Sequence, residues 1–343
     1  MHSPDDYLRQ IEEEEARRQQ ELGGRSPWRW VKRFFLGLFA IVLVAAVALG
    51  WFGTHTLKGV SSKPFDPSPL TTDAESRTNI LILGVGDPGH AGQDLSDSIM
   101  VVSINRQTKQ VATISIPRDT EARIPGYGYR KINNANALGG SELAKQTVSG
   151  LLGIPIDYTI VTNFSGLKNL VDAVGGIDVN VKEALVDNEY PCADNEYKSC
   201  GINIQPGLQH MDGARALEYT RCRKGTCGND FGRAERQQEV INLLMAKLVQ
   251  PRAWINPVSA AAVSNALRTG ITTDLSGPNM VRLAWAWSHK AGEPTRWVLS
   301  TAPGGLLTSS GSSTNLVPVG GDYTAIQEQA ANIFTNPPKQ DKL

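Results

Sequence analysis

The residues with the most evident chemical potential lie between 217 and 238, in "LEYTRCRKGTCGNDFGRAERQQ". Five cations, Arg221, Arg223, Lys224, Arg233 and Arg236, face three acids, Glu218, Asp230 and Glu235. The excess is small, so spacing carries the reading. Arg221 and Arg223 are two apart, which on a strand turns both to one side. Arg233, Arg236 and Gln237 recur at helical spacing, which gathers them on one face. The first turn of such a helix adds unpaired N–H groups and a dipole that attract an anion. A guanidinium fork also matches phosphate oxygens better than a lysine point charge does. The pattern suits a polyanionic head such as pyrophosphate. A surface ion-pair network through Asp230 and Glu235 is the plainer alternative.

Three further stretches supply complementary chemistry. "GVGDPGHAGQDLSDSIM" joins glycines to Asp87, Asp94 and Asp97. Carboxylate and phosphate oxygens together are the ligands that Mg²⁺ prefers. The loop lacks the G-x-x-x-x-G-K-[ST] pattern of a nucleotide-binding P-loop. "SIPRDT" places Arg118 just past a strand end, where α/β sheets present ligand-binding groups. "YRKINNANALGG" adds Arg130 and Lys131 beside small polar residues.

These residues need elements to hold them. "NILILGV", "SIMVVSIN" and "QVATISIP" read as buried strands, and "DYTIVTN" and "GIDVNV" as two more. "SELAKQTVSGLLG" reads as a helix with a Ser cap and a Gly stop. "FSGLKNLVDAVGG" is a second helix. "DFGRAERQQEVINLLMAKLV" is a long one, with Val240, Leu243, Leu244 and Leu248 on one face. "NPVSAAAVSNAL", "SGPNMVRLAWAWSHK" and "GDYTAIQEQAANIF" continue the helical pattern, "RWVLSTA" is a strand, and "GGLLTSSGSSTN" is an exposed loop. Alternating strands and helices predict an α/β fold, a sandwich whose central mixed sheet is flanked by helices.

The start of the chain has another character. Residues 1–33 are polar and read as a solvated segment. From Phe34 to Gly53 no residue is charged, and a run of roughly 20 such residues spans a bilayer as a helix. Trp28, Trp30 and Trp51 flank it, at the depth that amphipathic aromatics favour. Arg25, Arg29, Lys32 and Arg33 precede it and Lys58 and Lys63 follow, which predicts a cytoplasmic N-terminus. A cleaved signal peptide is the alternative, disfavoured by the length of the run and of what precedes it. Residues 54–77 read as a linker and 78–343 as one extracytoplasmic domain at the cell membrane. The four cysteines, Cys192, Cys200, Cys222 and Cys227, all follow the apolar run, as extracytoplasmic disulfides would. Neighbouring pairs are expected, although sequence alone permits three connectivities, and a four-cysteine zinc site is the rival. Equal numbers of basic and acidic residues, 34 of each, argue against nucleic-acid binding.

Taken in order, "NILILGV", "SDSIM", "SIPRDT", "KINNANALGG", "VDAVGGIDV", "ALEYTRCR" and "DFGRAERQQ" resemble the LytR-CpsA-Psr family over roughly residues 78–250. The resemblance implies a phosphotransferase of cell-wall assembly. Such an enzyme moves a glycopolymer from a polyprenyl-pyrophosphate carrier to peptidoglycan, with a membrane helix ahead of an α/β domain whose apolar pocket holds the prenyl tail. It implies that Arg118, Arg221, Arg223, Arg233 and Gln237 contact the pyrophosphate, with Asp230 in the same signature. It gives Asp97 and Asp87 to Mg²⁺, with Asp94 as the rival of Asp87. Lys131 and Arg236 are implied substrate-binding residues, and Asp87 or Asp230 is a candidate proton acceptor. Two departures stand out. Leu95 occupies the place of a family arginine, whose charge would have to come from elsewhere, for example His90 or Arg130. The acidic loop begins "GVGD" where the family has G-V-D. A non-catalytic lipid- or polymer-binding scaffold and a lipid pyrophosphatase are the alternative functions.

Overall fold

A computed structural model describes residues 60–338, apart from 64, 65, 67, 90, 91, 193–197, 229, 251, 312 and 313. The polar N-terminal segment, the apolar run at 34–53 and His90 lie outside the described residues. Among the described residues, no helix is long and apolar enough to cross a membrane.

The chain opens with β1 (Arg77–Val85), β2 (Ser96–Asn105), β3 (Val111–Ser115) and a small ribbon of β4 (Glu121–Ile124) and β5 (Gly128–Lys131). Then come α1 (Asn134–Leu152), β6 (Tyr158–Asn163), α2 (Phe164–Ala173), β7 (Ile177–Val181), β8 (Leu185–Asp187), β9 (Ile202–Ile204) and β10 (Gly207–Met211). The second half holds α3 (Gly213–Arg221), α4 (Asp230–Leu248), α5 (Arg252–Ile255), α6 (Pro257–Gly270), β11 (Ile271–Thr273) and α7 (Gly277–Ser288). It closes with β12 (Thr295–Val298), β13 (Leu307–Ser309), β14 (Leu316–Pro318) and α8 (Thr324–Ala331).

The central sheet has the order β11-β6-β1-β2-β3-β12. The β1–β6 and β3–β12 pairs are parallel and the rest antiparallel, so the sheet is mixed, as expected. Alternate residues feed opposite faces. Leu81, Leu83, Val101 and Ile114 pack under α1 and α8. Ile80, Met100 and Val102 pack with Leu283 and Trp287 of α7 and with Ile241 and Met245 of α4. Both faces are covered, which explains why the strands read as continuous apolar runs. A third core joins α2, α3, α4, β7 and β10 through Leu170, Val179, Met211, Tyr219, Val240 and Leu244. The predicted apolar face of the long helix lies here, with Val240 and Leu244 buried and Leu243 and Leu248 partly so.

Three local expectations change. Arg221 and Arg223 are not on a strand. Asp212 caps α3 by accepting from the Arg215 N–H, and Ala216, Tyr219 and Thr220 are buried at helical spacing. The helix runs to Arg221, and Cys222 turns out of it into a loop that carries Arg223. Next, α1 begins at Asn134 rather than at Ser141, with a break where Gly139 and Gly140 leave helical geometry. Its predicted stop holds, because Gly153 adopts φ +67°. Finally, the segment expected to be all loop pairs β13 with β14, anchored by buried Leu307 opposite Pro318. Part of the expected linker is folded against the domain, where Ser62 N–H donates to Thr273 C=O at 3.1 Å.

Candidate active site: an arginine-lined pocket

A pocket of about 300 Å³ opens where β2, the loop after β3, α2, the loop after β8, the end of α3 and the first turns of α4 meet. Asp97, Arg118, Arg221, Arg223, Arg233 and Gln237 line it, so the separate sequence motifs converge on one site. Asp230 stands beside it, with Oδ1 3.3 Å from Arg233 Nη2.

Each cation is held differently. Arg118 Nη1 donates to Asp97 Oδ1 at 2.6 Å. Burial opposes its charge, but the hydrogen bond and charge of Asp97, with Asp119 and Asp230 behind, leave its pKa above the ordinary arginine value. Arg233 is only 8% exposed. Burial lowers its pKa, Asp230 opposes that shift, and the nearby charge of Arg118 adds to it. Bringing these like charges together costs energy that an anion in the pocket would relieve. The Arg221 guanidinium lies over the Phe164 ring at 4.3 Å and the Tyr190 ring at 5.9 Å, which orients its planar fork.

The wall bearing Arg223 and Lys224 is fixed through the backbone. Buried Asp187 accepts from the N–H groups of Arg223 at 3.5 Å and Lys224 at 3.2 Å, and from Glu189 N–H at 2.9 Å. Lys224 pairs with Glu189. Disulfides join Cys222 to Cys227 and Cys192 to Cys200, the neighbour pairs expected. The first encloses Arg223 and Lys224, and the second closes the loop that follows Tyr190 and Pro191.

Four anticipated site residues lie outside the lining, Asp230 next to it and three others farther off. Arg236 points inward, donating from Nε to Tyr219 C=O and from Nη1 to Cys227 C=O, each at 2.9 Å, and from Nη2 to Cys222 C=O. It braces the loop from behind. Lys131 Nζ donates to Asp119 Oδ1 at 2.6 Å and Thr314 Oγ1 at 2.8 Å. Asp87 accepts from both N–H and Oγ of Ser165 at 3.0 Å and so caps the start of α2. Arg130 is exposed and donates to Tyr127 C=O. Leu95 lies beside Gly92, and Lys224 is the additional cation of the lining.

Sequence reasoning missed Lys224 as a lining group, along with Phe164, Asp187, Glu189 and Tyr190. The signal for Tyr190 was its place just before Cys192, in a loop that a disulfide would hold. Asp187 carried no such signal, since its role at the pocket is to accept from the distant backbone N–H groups of Arg223 and Lys224.

Asp97 is the predicted metal aspartate that reaches the pocket. Mg²⁺ takes few protein carboxylates and relies on substrate phosphate oxygens, so Asp97 fits its donor chemistry, whereas the lining carboxylates Asp187 and Glu189 are engaged by backbone N–H groups and by Lys224. Among the described residues, the cluster of three side chains of metal-ligating type is Asp187 with Cys222 and Cys227. Its two sulfurs are bonded to each other and offer no thiolate.

The LytR_cpsA_psr family model matches residues 54–295. The chain belongs to the LytR-CpsA-Psr family. A relative from Enterococcus faecalis, the polyisoprenyl-teichoic acid–peptidoglycan teichoic acid transferase TagU, is 33% identical over 267 residues, 74% of this chain and 82% of its own. The transferase TagT of Bacillus subtilis is 31% identical over 253 residues, 68% and 74% of the two chains. A structure of TagT bound to LI-WTA aligns with a TM-score of 0.60 at 25% identity, covering 80% of this chain and 96% of that one. TagV of B. subtilis shares the fold, with a TM-score of 0.60 at 24% identity over 78% of this chain and all of that one.

Proposed function

We propose that this LytR-CpsA-Psr chain is a membrane-anchored phosphotransferase that moves a glycopolymer from a polyprenyl-pyrophosphate carrier to peptidoglycan. The observation that carries this reading is the pocket itself, where four arginines from separate elements, Arg118, Arg221, Arg223 and Arg233, surround one space sized for a diphosphate. Relatives named as teichoic acid transferases support the choice of reaction. The apolar run at 34–53 would keep the domain beside a carrier that cannot leave the bilayer, with the N-terminus in the cytoplasm.

In this scheme the arginines and Gln237 hold the two phosphoryl groups. A hydroxyl oxygen of the acceptor glycan attacks the phosphorus that bears the glycopolymer. A new O–P bond forms, the bridging P–O bond breaks, and polyprenyl phosphate leaves with the bond's electron pair. The hydroxyl proton passes to a carboxylate, for which Asp230 beside Arg233 is better placed than Asp87, whose oxygens are taken by Ser165. Mg²⁺, when bound by Asp97 and the phosphates, supplies neutralising charge. The protein contributes position and charge complementarity, the main demands of phosphoryl transfer.

Transfer of a glycan from a lipid-pyrophosphate donor to peptidoglycan by the full-length protein is the test. Arg118→Ala and Arg233→Ala should each lower turnover by 100-fold or more, on the order of the loss seen when one charge-stabilising group is removed. Transfer at the wild-type rate in both variants would overturn the assignment. Release of free phosphorylated glycan would favour a pyrophosphatase instead.

A further inference from the structure

Lys131 and the ribbon it ends have no place in the diphosphate scheme, yet they are joined to the pocket. Arg118 lines the pocket, its Nε lies 3.8 Å from Asp119 Oδ2, and Asp119 Oδ1 takes a 2.6 Å bond from Lys131 Nζ. Along β4 and β5, Glu121 pairs with Lys131 and Arg123 with Tyr129. Residues directly opposite in an antiparallel ribbon share a face, as do residues two apart on one strand. Lys131, Glu121, Arg123 and Tyr129 therefore form one stripe leading out from the pocket. The opposite face anchors the ribbon by burying Ala122 and Ile124 in the main core. Asn315 Nδ2 donates to Glu121 Oε2 at 3.0 Å, and the Tyr323 hydroxyl donates to Glu121 C=O at 3.1 Å, so the base of the stripe is braced. Two residues of strand advance about 7 Å, which places Arg123 and Tyr129 about that far beyond Lys131.

The outer end is left open. Tyr129 is 64% exposed. Arg123 is exposed too, and among the described residues it has no carboxylate within ion-pair distance. We infer that this stripe is the subsite for the acceptor glycan strand, with the Tyr129 ring stacking on a sugar face and Arg123 pairing with a carboxylate carried by the strand. The inference rests on the phosphotransfer reading of the pocket. Charge pattern decides between acceptor and donor polymer. Asp119 and Glu121 alternate with Lys131 and Arg123, so a phosphate-rich polymer would meet carboxylates on the way. A hydroxyl-rich strand with sparse carboxylates needs both donors and acceptors, and a rigid aromatic platform suits it. Peptidoglycan strands have that chemistry. A strand lying on the ribbon would deliver one hydroxyl beside Arg118.

The test uses the full-length protein in detergent and muramidase-solubilised peptidoglycan fragments, with no donor lipid, and reads binding by calorimetry. Tyr129→Ala and Arg123→Ala should each weaken binding about tenfold, while Tyr129→Phe, which keeps the ring, should bind like the wild type. Affinity for inorganic pyrophosphate, measured in parallel, should not change in any of them. Both side chains are exposed, so these variants are expected to fold, and an unchanged thermal midpoint checks it. The stripe is overturned if the wild type does not bind the fragments, if the alanine variants bind like the wild type, or if the loss falls on pyrophosphate. The test of the stripe reads binding and does not depend on turnover. Fragment binding through the stripe without transfer sinks the phosphotransfer reading alone, and transfer with indifferent ribbon variants sinks the stripe alone.

Discussion

The contrast between Arg233 and Arg236 shows how little a residue's type says about its task. Both are 8% exposed and three apart on α4. Arg233 faces the pocket and Asp230, whereas Arg236 spends its guanidinium on the carbonyls of Tyr219, Cys222 and Cys227. Two of those carbonyls belong to the cysteines that frame the Arg223 loop. Arg236→Leu would leave buried carbonyls unpaired, each costing about 1–3 kcal/mol, so stability should fall by roughly 3 kcal/mol or more in denaturant melts. Arg233→Leu removes a charge disfavoured by burial and by Arg118, and should leave the denaturation midpoint close to that of the wild type while weakening pyrophosphate binding. If the two variants lost stability equally, the division into a binding arginine and a bracing arginine would be wrong.

At the scale of elements, the pocket wall is two short segments tied together. The turn at 222–228 meets β8 through Val186 N–H to Thr226 Oγ1 at 2.8 Å and Thr226 Oγ1 to Ala184 C=O at 2.7 Å. Gly225 sits at φ +60°, where a Cβ would lie 2.1 Å from Val186 C=O, so a side chain there would part the two segments. The Cys222–Cys227 bond spans a short loop, and loop-closure entropy gives it about 2 kcal/mol. The double variant Cys222→Ser/Cys227→Ser should lose about that much stability and bind pyrophosphate more weakly, because the Arg223 loop would no longer be held before the ligand arrives. Unaltered affinity in a less stable protein would limit the disulfide to a role in stability. This wall also marks where the sequence was legible. Five of the six strands of the central sheet, all but the short β11, the α4 face and the arginines of the lining were readable because hydrophobic period and motif spacing are local. The R-x-R pair was misplaced because the burial of Tyr219, which holds 213–221 as a helix, depends on packing against α4, while the Asp212 cap at its start is local. Asp187 and the ring of Phe164 were invisible because the residues they position, Arg223 and Lys224 for one and Arg221 for the other, lie far along the chain.

Across the whole molecule, the pocket sits at one end of a sheet whose other end carries its own electrostatic strain. Asp157 precedes β6, and its Oδ2 accepts from Asn79 N–H at 2.8 Å in β1. Burial pushes its pKa up to about 6, the Asn79 hydrogen bond opposes that shift, and the charge of Asp73 adds to it. A carboxyl with a raised pKa in the folded state binds a proton that the unfolded chain has released. Its contribution to stability is therefore full below the unfolded value of 3.8 and is lost as pH rises through about 6. The site is partly open to solvent, so the size of the effect is set by screening, but its direction is fixed. Asp157→Asn keeps an acceptor for Asn79 and removes the titration. Urea melts of the variant and the wild type should nearly coincide at pH 4, with the variant gaining relative stability up to pH 7. A stability difference that is flat across that range would mean that Asp157 ionises in the folded protein as freely as in the unfolded chain. That strain lies on the β1–β6 pair, two neighbouring strands of which β1 ends at the loop preceding Asp97 and β6 runs into Phe164. If the melts show the expected slope, pyrophosphate affinity measured at pH 5 and pH 7 on the Asp157→Asn variant will separate a pH dependence of the fold from one belonging to the arginine pocket.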